Sequence, residues 1–478
     1  MVHPFLESLM LIERPLPFIQ EYLSILDAEL CRYYPGCRLS GIQKWWLGFC
    51  LSAIMVTNQI CWKAFERASL GQFGHQALSW MFRHSKIFWS ELFKVSVLKI
   101  LHHYGIEEGA LCCDDVDRNR SKSTTQIHGV HKLKDKLTGG FVDGQCLVFL
   151  FLVTPKASFP VGFEFYIPDP QWKSWKHEDE RLKKQGICKK LRPVEPERNP
   201  LYPTKIQIAL QSLQTFCQDF PQIKVKCFLA DGLYGSAEFL EQATAILNNG
   251  QVITKMKPNQ LIRLRGKAFA VTELFRRYPP VLQTVSIRGE APVQIWVASA
   301  RVYVPSHEKK RFIIALRYPD EKHCRYLMAS NLSWRTLDIV QAYFFRWLIE
   351  VFFEDWKGHE GWGVLTKHPG QEGSRRSLIL SLMLDHALLF HHDQKARLEN
   401  KLPAFSVASL SQRIQAEAVV QFVQDLAHDG FDENKIQKLK ENINRIIPLN
   451  PSKKHMSHRS FPKMEPAPSL ERFQRDAA

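Results

Sequence analysis

Between residues 109 and 254 the apolar residues stop recurring at helical spacing and gather into short runs, and this change of period limits the fold more than any other feature of the chain. Ala110-Leu-Cys-Cys ends in Asp114-Asp115, and Cys146 to Val153 and Phe159 to Ile167 follow. Val225 to Ala230 then ends in Asp231, and Gln251 to Thr254 closes the set. Short apolar runs bounded by polar turns read as strands of one buried sheet. Thr204 to Phe220 and Ser236 to Leu247, lying between runs, carry a helical period. Strand, helix, strand in that order implies an α/β core.

The flanks read differently. Residues 1–108 form a helical N-terminal module, with Phe88, Leu92, Val95 and Leu98 at helical spacing. Residues 109–258 hold the first part of the core. Residues 259–335 form a β-rich insertion, where Val293, Ile295 and Val297 alternate and Phe312 to Leu316 is apolar. Residues 336–400 hold the second part of the core, with an amphipathic helix from Thr336 to Lys357 and a mostly apolar one from Ser377. Residues 401–478 are a C-terminal helical segment and a tail punctuated by Pro448, Pro451, Pro462, Pro466 and Pro468. Between residues 176 and 198, 13 of 23 residues are charged, which marks an exposed connection. Trp45 to Val56 is too short to span a bilayer, and Ser377 to Phe390 carries Asp385 and His386, so both read as core helices. The N-terminus lacks the pattern of a secretion signal, and a cytoplasmic protein without membrane contact is expected.

Charge points to the partner. Lys and Arg number 64 against 48 Asp and Glu, a formal charge of +16, which attracts polyanions and makes nucleic acid the leading candidate. Arg118, Arg120, Lys122, Lys132, Lys134 and Lys136 form one basic run, and Lys255, Lys257, Arg263, Arg265 and Lys267 another. The 11 cysteines are odd in number and include no Cys-x-x-Cys, which fits a reducing compartment. The histidines at 128 and 131, 102 and 103, and 391 and 392 find no partners at zinc spacing. No Gly-rich phosphate loop is present.

Three acidic positions lie where a core strand or helix presents them: Asp114-Asp115, Asp231 and Glu350. A carboxylate trio at strand ends suits magnesium, a hard cation that prefers oxygen ligands. Two such ions about 4 Å apart can hold the attacking and leaving oxygens of an in-line displacement at phosphorus. Residues 343 to 357, YFFRWLIEVFFEDWK, place Tyr343, Arg346, Glu350 and Lys357 at intervals that share one helical face. Phe344, Phe345, Trp347, Leu348 and Phe352 around them predict that most of this helix is buried. Glu354 lies on the same face one turn on.

The spacing Tyr-x2-Arg-x3-Glu-x6-Lys resembles the hallmark of the insertion-sequence-four family of bacterial DDE transposases. Arg346-Trp347-x-Ile349-Glu350, Trp356-Lys357 and Ala230-Asp231-Gly-Leu-Tyr234-Gly235 strengthen the likeness, which covers roughly residues 110 to 390. The resemblance implies an α/β, ribonuclease-H-like catalytic core with a β-rich insertion, plus helical N-terminal and C-terminal segments. It implies Asp115, Asp231 and Glu350 as the acids holding two Mg2+ ions, with Mn2+ able to substitute. The motif spacing selects Glu350 over Glu354. Relatives often follow the first acid with Thr, where this chain has Val116, so Asp114 stays open beside Asp115. Tyr343, Arg346 and Lys357 would contact the DNA backbone at the element's end, and Tyr326 would hold a flipped base. The activity expected is cut-and-paste transposition by a homodimer on double-stranded DNA, at element ends and target, in a nucleoid-associated bacterial protein. The N-terminal module would bind the ends, and a C-terminal segment around Ala416 to Ile447 would support the dimer. Two alternatives are a catalytically silent, transposase-derived DNA-binding protein and a nuclease that cuts without joining.

Overall fold

The computed structural model describes residues 12, 14–120, 126–135, 139–285, 292–362, 370–391, 406–428 and 433–446. Lys122, Lys136, His392, Ile447 and the proline-punctuated end lie outside the described residues.

Five helices come first: α1 (Pro17–Tyr33), α2 (Gly41–Thr57), α3 (Trp62–Ala68), α4 (His75–His84) and α5 (Trp89–His103). Ser40 and Gln43 start α2 as a reciprocal capping box. From Trp46 to Thr57 every residue is buried, so the helix is apolar all round and other helices must enclose it. A Cβ on Gly48 would come within 2.8 Å of Pro15, so only glycine lets the segment before α1 cross there. Asn58, in the left-handed conformation, ends α2, and its side chain donates to Gly358 O and accepts from Gly361 N. The N-terminal helices are thereby tied to a segment 300 residues away.

The core sheet has the order β4-β3-β1-β5-β6, formed by β1 (Glu108–Asn119), β3 (Phe141–Val153), β4 (Ser158–Tyr166), β5 (Lys224–Ala230) and β6 (Gln251–Met256). β3 runs antiparallel to both of its neighbours, β1 and β4, whereas β5 and β6 run parallel to β1. This is a ribonuclease-H-like core. The short β2 (His131–Lys134) pairs with the start of β3. Helix α6 (Pro170–Lys184) follows β4. The crossovers are α7 (Lys205–Asp219) between β4 and β5 and α8 (Ala237–Ile246) between β5 and β6, as parallel neighbours require.

The β-rich insertion continues the same sheet. β7 (Leu261–Leu264), β8 (Lys267–Ala270), α9 (Val271–Arg277), β9 (Val281–Val285), β10 (Val293–Val304), β11 (Lys309–Arg317) and β12 (Arg325–Ala329) follow β6, and β12 returns to pair antiparallel with it. Twelve strands result among the described residues. Then come α10 (Thr336–Phe344), α11 (Trp347–His359), α12 (Gly370–Leu388), α13 (Val407–His428) and α14 (Glu433–Ile446). The sequence pattern predicts one helix from Thr336 to Lys357, but the structure breaks it at Phe345 and Arg346. Successive i to i+3 hydrogen bonds tighten the chain there, from Phe345 N to Ala342 O (3.0 Å) and from Arg346 N to Tyr343 O (3.1 Å).

Side chains alternate across a strand, so the two faces of the sheet are covered separately. On one face Phe149 and Phe151 of β3 pack against Phe352 of α11, and Phe149 also meets Phe353 and Trp356. On the other, Phe228 of β5 meets Phe239 of α8, and α7 packs over β3 and β4. The late helices are in turn held by the N-terminal ones. Tyr104 donates to Leu389 O at 2.7 Å, and α13 bonds to the end of α2 through Ser411 and Gln415. Val420 and Val423 of α13 stay exposed.

A buried polar chain crosses this junction. His386 of α12, stacked on Phe93, donates from Nε2 to Pro160 O (2.9 Å), so its Nδ1 accepts from Ser96 (2.6 Å), which accepts from Tyr22 (2.6 Å). Burial holds the imidazole pKa down to about 4. The unfolded chain takes up this proton near pH 6.5, so the stabilisation is whole above that pH and is lost as pH falls toward 4. About 3 kcal/mol is expected to go across this window, at ~1.4 kcal/mol per pH unit. Urea unfolding between pH 4 and 7 should show this slope in the parent, and a flatter one in His386→Asn.

Candidate active site

β5 ends beside the middle of β1, with Cys113 paired to Ala230, so Asp114, within β1, and Asp231, just past the end of β5, are the next residues in register and face the same way. Asp114 also sits opposite Phe149, the ring that α11 packs on. It therefore lies on the face covered by the Glu350 helix. There Arg346 Nη1 donates to Asp114 at 2.7 Å, while Nη2 pairs with Glu350. One guanidinium joins the strand acid to the helix acid across 232 residues.

Asp115, one residue on, points to the opposite face. Lys205, at the start of α7, donates to its Oδ2 at 2.6 Å, and the Cys146 thiol lies 3.9 Å from the same oxygen. Asp115, Asp117 and Cys146 offer ligand atoms within 4.8 Å of one another, the one such group of His, Cys, Asp and Glu among the described residues. A cation is already seated there, since burial lowers the Lys205 pKa but its Cys146 and Asp115 neighbours outweigh that and hold it above its ordinary value. Burial pushes the Cys146 thiol up, so it stays protonated. An ammonium and a neutral thiol suit a hard divalent cation poorly.

The set on the other face fits one better. Burial raises the Asp114 carboxyl to about 6, against the pull of Arg346 and of the Asp115 backbone N–H, with the Asp115 and Asp231 charges pushing the same way as burial. Burial would raise Asp231 too, but the Gly232 N–H, Lys255 and Arg346 outweigh it and leave this carboxyl below its usual range. Asp231 Oδ1 is buried and takes no hydrogen bond, with Lys255 Nζ 3.3 Å away as an ion-pair partner. Carboxylates crowded around one guanidinium, one of them with an unsatisfied oxygen, form an oxygen-donor set with a demand for positive charge.

The tightened turn before α11 places Tyr343 directly behind Arg346, because residues three apart eclipse in a 3-10 turn. The Arg346 Cζ lies 5.8 Å from the Tyr343 ring centroid. The Tyr343 hydroxyl and the Arg346 Nε are buried without hydrogen-bond partners. Burial pushes the phenol up, so it remains a donor. Lys357 lies two turns beyond Glu350 on α11, with its ammonium over the Phe353 ring. Glu350 and Glu354 are both exposed. The burial expected of the surrounding aromatics holds for Phe352 but not for Trp347, which is 59% exposed. Trp347 helps line a cleft of about 1300 Å³ formed by the insertion, the two helices and the starts of β1 and β5, with Glu350, Arg346, Tyr343, Lys255 and Trp334 but neither Asp114 nor Asp231 in its wall.

Tyr326 is not brought to this cleft. It pairs with Met256, one position off the Lys255 row, so its ring points to the other face and stacks on Phe275, leaving it 7% exposed. The first basic run is also partly internal. Arg120 lies over the Trp362 ring and donates to Gln145, with burial lowering its pKa to about 9, and Lys132 pairs with Asp143. Lys257, Arg265 and Lys267 of the second run are exposed. His391 is buried against Phe18, without metal-ligand neighbours among the described residues. Lys205 and Cys146 carry no local motif, so nothing in the sequence pointed to them.

A ribonuclease-H-like sheet with neighbouring acids on adjacent strands and a third on a packed helix is the arrangement of an enzyme that acts on phosphodiesters. Residues 42–273 match the family model described as DDE superfamily endonuclease, a stretch that takes in Asp114, Asp115 and Asp231 and ends before Glu350. The match supports a DDE-type nuclease or transposase, a class that cleaves DNA with divalent metal. No curated protein matches the chain. Among solved structures, the NurA nuclease from Sulfolobus solfataricus aligns at 10% identity over 49% of this chain and 71% of that one, with a TM-score of 0.23. No helix among the described residues is long and apolar enough to cross a membrane.

Replacing Arg346 with Ala leaves the buried Asp114 without its counter-ion. A loss of about 1–3 kcal/mol is expected in urea unfolding at pH 8, discounted for partial exposure. The loss should shrink at pH 5, where Asp114 takes up a proton and no charge remains to be stranded.

Proposed function

We propose that this chain is a DDE transposase of the insertion-sequence-four type, which binds the terminal repeats of a bacterial insertion sequence and cuts and joins DNA there. The observation that carries the reading is the bridge from Asp114 through Arg346 to Glu350 beside Asp231, on the helix whose spacing resembles that family. We assign the metal-holding acids as Asp114, Asp231 and Glu350, with Asp115 given over to Lys205. Two Mg2+ ions, or Mn2+, held by these acids would activate the attacking oxygen and stabilise the leaving one.

The chain's own residues would do the rest. The unpartnered Tyr343 hydroxyl and Arg346 Nε–H are donors aimed into the site, suited to a non-bridging phosphate oxygen. Lys255 and Lys357 add positive charge on either side of Glu350. Arg346, paired with Asp114 and Glu350, would be free to hold the backbone if those acids held metal instead. The same arrangement serves attack by water and then by a freed 3′ hydroxyl on target DNA. The aromatic that would meet an unpaired base is the exposed Trp347, or the half-buried Trp334 beside it in the cleft, rather than Tyr326. A homodimer on paired ends, with α13 at its interface, completes the proposal.

A nuclease that cuts without joining would share every feature above, and product analysis separates it. DNA carrying the ends that flank the gene should be nicked with Mg2+ or Mn2+, and strand-transfer products should appear with a target plasmid. Asp114→Asn, Asp231→Asn and Glu350→Gln should each lower cleavage by ~100-fold or more, since each removes a ligand. Asp115→Asn should lower it far less. Loss with Asp115→Asn and survival of Asp114→Asn would reverse the assignment of the first acid. Tyr343→Phe should raise KM about 10-fold, the worth of one hydrogen bond to a charged oxygen. Binding without cutting in the parent would favour the silent DNA-binding alternative.

A further inference from the structure

The charged stretch after β4 is a folded arm. Asp169 caps α6 by accepting from Gln171 N (2.9 Å) and Trp172 N (3.3 Å), with Pro170 at the first turn. No residue of α6 is buried, so packing into the core does not hold it. The chain instead folds back along one side of the helix. Trp172 Nε1 donates to Glu195 at 3.0 Å, Trp175 Nε1 donates to Pro193 O at 2.9 Å, and Arg192 pairs with Asp179 at 2.9 Å. Arg198 lies over the Trp172 ring at 3.9 Å.

This leaves the opposite side of α6 facing water. Lys173, Lys176, His177, Glu180 and Lys184 fall at the spacing of a single stripe, and all are exposed. Lys183, Lys189 and Lys190 continue the positive surface beyond it. The acids of the arm are largely spent within it: Glu178 on Arg181, Asp179 on Arg192, Glu195 on Trp172. Glu180 is the one carboxylate left on the stripe. No ion pair joins the six lysines to any carboxylate among the described residues. From Lys173 to Lys184 the stripe spans ~16 Å at 1.5 Å per residue. That is roughly five base pairs of rise along one DNA strand.

β4 runs parallel to β1 and β5, so the arm leaves the sheet at the end where Asp114 and Asp231 lie. It returns at Lys205, the residue seated on Asp115. We propose that residues 169–198 form an arm that holds the phosphate backbone of duplex DNA beyond the end of the sheet where Asp114 and Asp231 lie, without reading its sequence. The inference rests on the proposed function for its partner and adds a contact surface outside that site. Leu191, Val194 and Leu201 are exposed apolar residues on the same segment, so a protein partner is the competing occupant. Six lysines without a carboxylate partner, Lys176 among them lying over the Trp172 ring, against two exposed carboxylates, Glu180 and Glu197, favour a polyanion.

The test compares the parent with a variant carrying Lys173→Gln, Lys176→Gln, Lys184→Gln and Lys190→Gln, all exposed, with circular dichroism to check the fold. Affinity for a long duplex of arbitrary sequence is measured against salt. Each lost phosphate contact should lower the slope of log affinity on log salt by about 0.9, so a drop of roughly 2 to 4 is expected. The Lys→Arg variant at the same positions should keep the parent slope. An unchanged slope in a folded variant overturns the arm proposal, and does so most directly if the oligomeric state changes instead. A parent that neither binds nor cuts DNA overturns the proposed function and the arm with it. A parent that cuts, beside a variant with the parent slope, overturns the arm alone.

Discussion

Everything at the candidate site depends on the packing of Phe352 and Trp356 against Phe149 and Phe151. Those rings set the rotation of α11 over the sheet, and rotation decides which side chains look down onto β1. Trp356 is fixed further by its Nε1 donating to Ser381 at 2.8 Å, a hydroxyl that itself donates to Glu360 O. With α11 pinned along its inner edge, Arg346 and Glu350 at its start lie over the middle of β1, beside the end of β5. Close packing of this kind leaves little room for a helix to turn about its axis.

The electrostatics follow from that placement. Asp114 is largely desolvated beside two other carboxylates, and burial raises its carboxyl to about 6. Arg346 opposes this and is itself held charged by Tyr343, Asp114 and Glu350 against the cost of its burial. The guanidinium occupies the position of a charge that the acids require. The opposite face shows the same principle with a different outcome, since Lys205 neutralises Asp115 in a pocket shared with a protonated thiol. Two adjacent aspartates thus serve two environments because a strand presents alternate residues to opposite faces.

Much of the fold was legible from the sequence. The apolar runs at Ala110, Cys146, Phe159, Val225 and Gln251 became β1, β3, β4, β5 and β6, since buried strands must be apolar on both faces. The helical start, the β-rich insertion and the late helices were legible for similar reasons. The break at Phe345 and Arg346 was not, because both residues keep helical backbone angles and only the hydrogen-bond pattern tightens. The charged stretch after residue 175 read as a connection because its lack of buried apolar residues hid a helix stabilised by two tryptophans and a cap.

The sequence by itself determined the kinds of residue the site contains and their order: two aspartates after apolar runs, and Tyr, Arg, Glu and Lys at helical spacing late in the chain. Local spacing sufficed there, because i, i+3 and i+7 relations do not depend on the rest of the chain. Only the tertiary structure decided which of Asp114 and Asp115 meets Glu350, and that Tyr326 stacks on Phe275 away from the cleft. Those outcomes depend on which face of the sheet receives α11 and which receives α7. That in turn is set by the packing of rings more than 200 residues from the helix they meet, a distance across which period and motif carry no information.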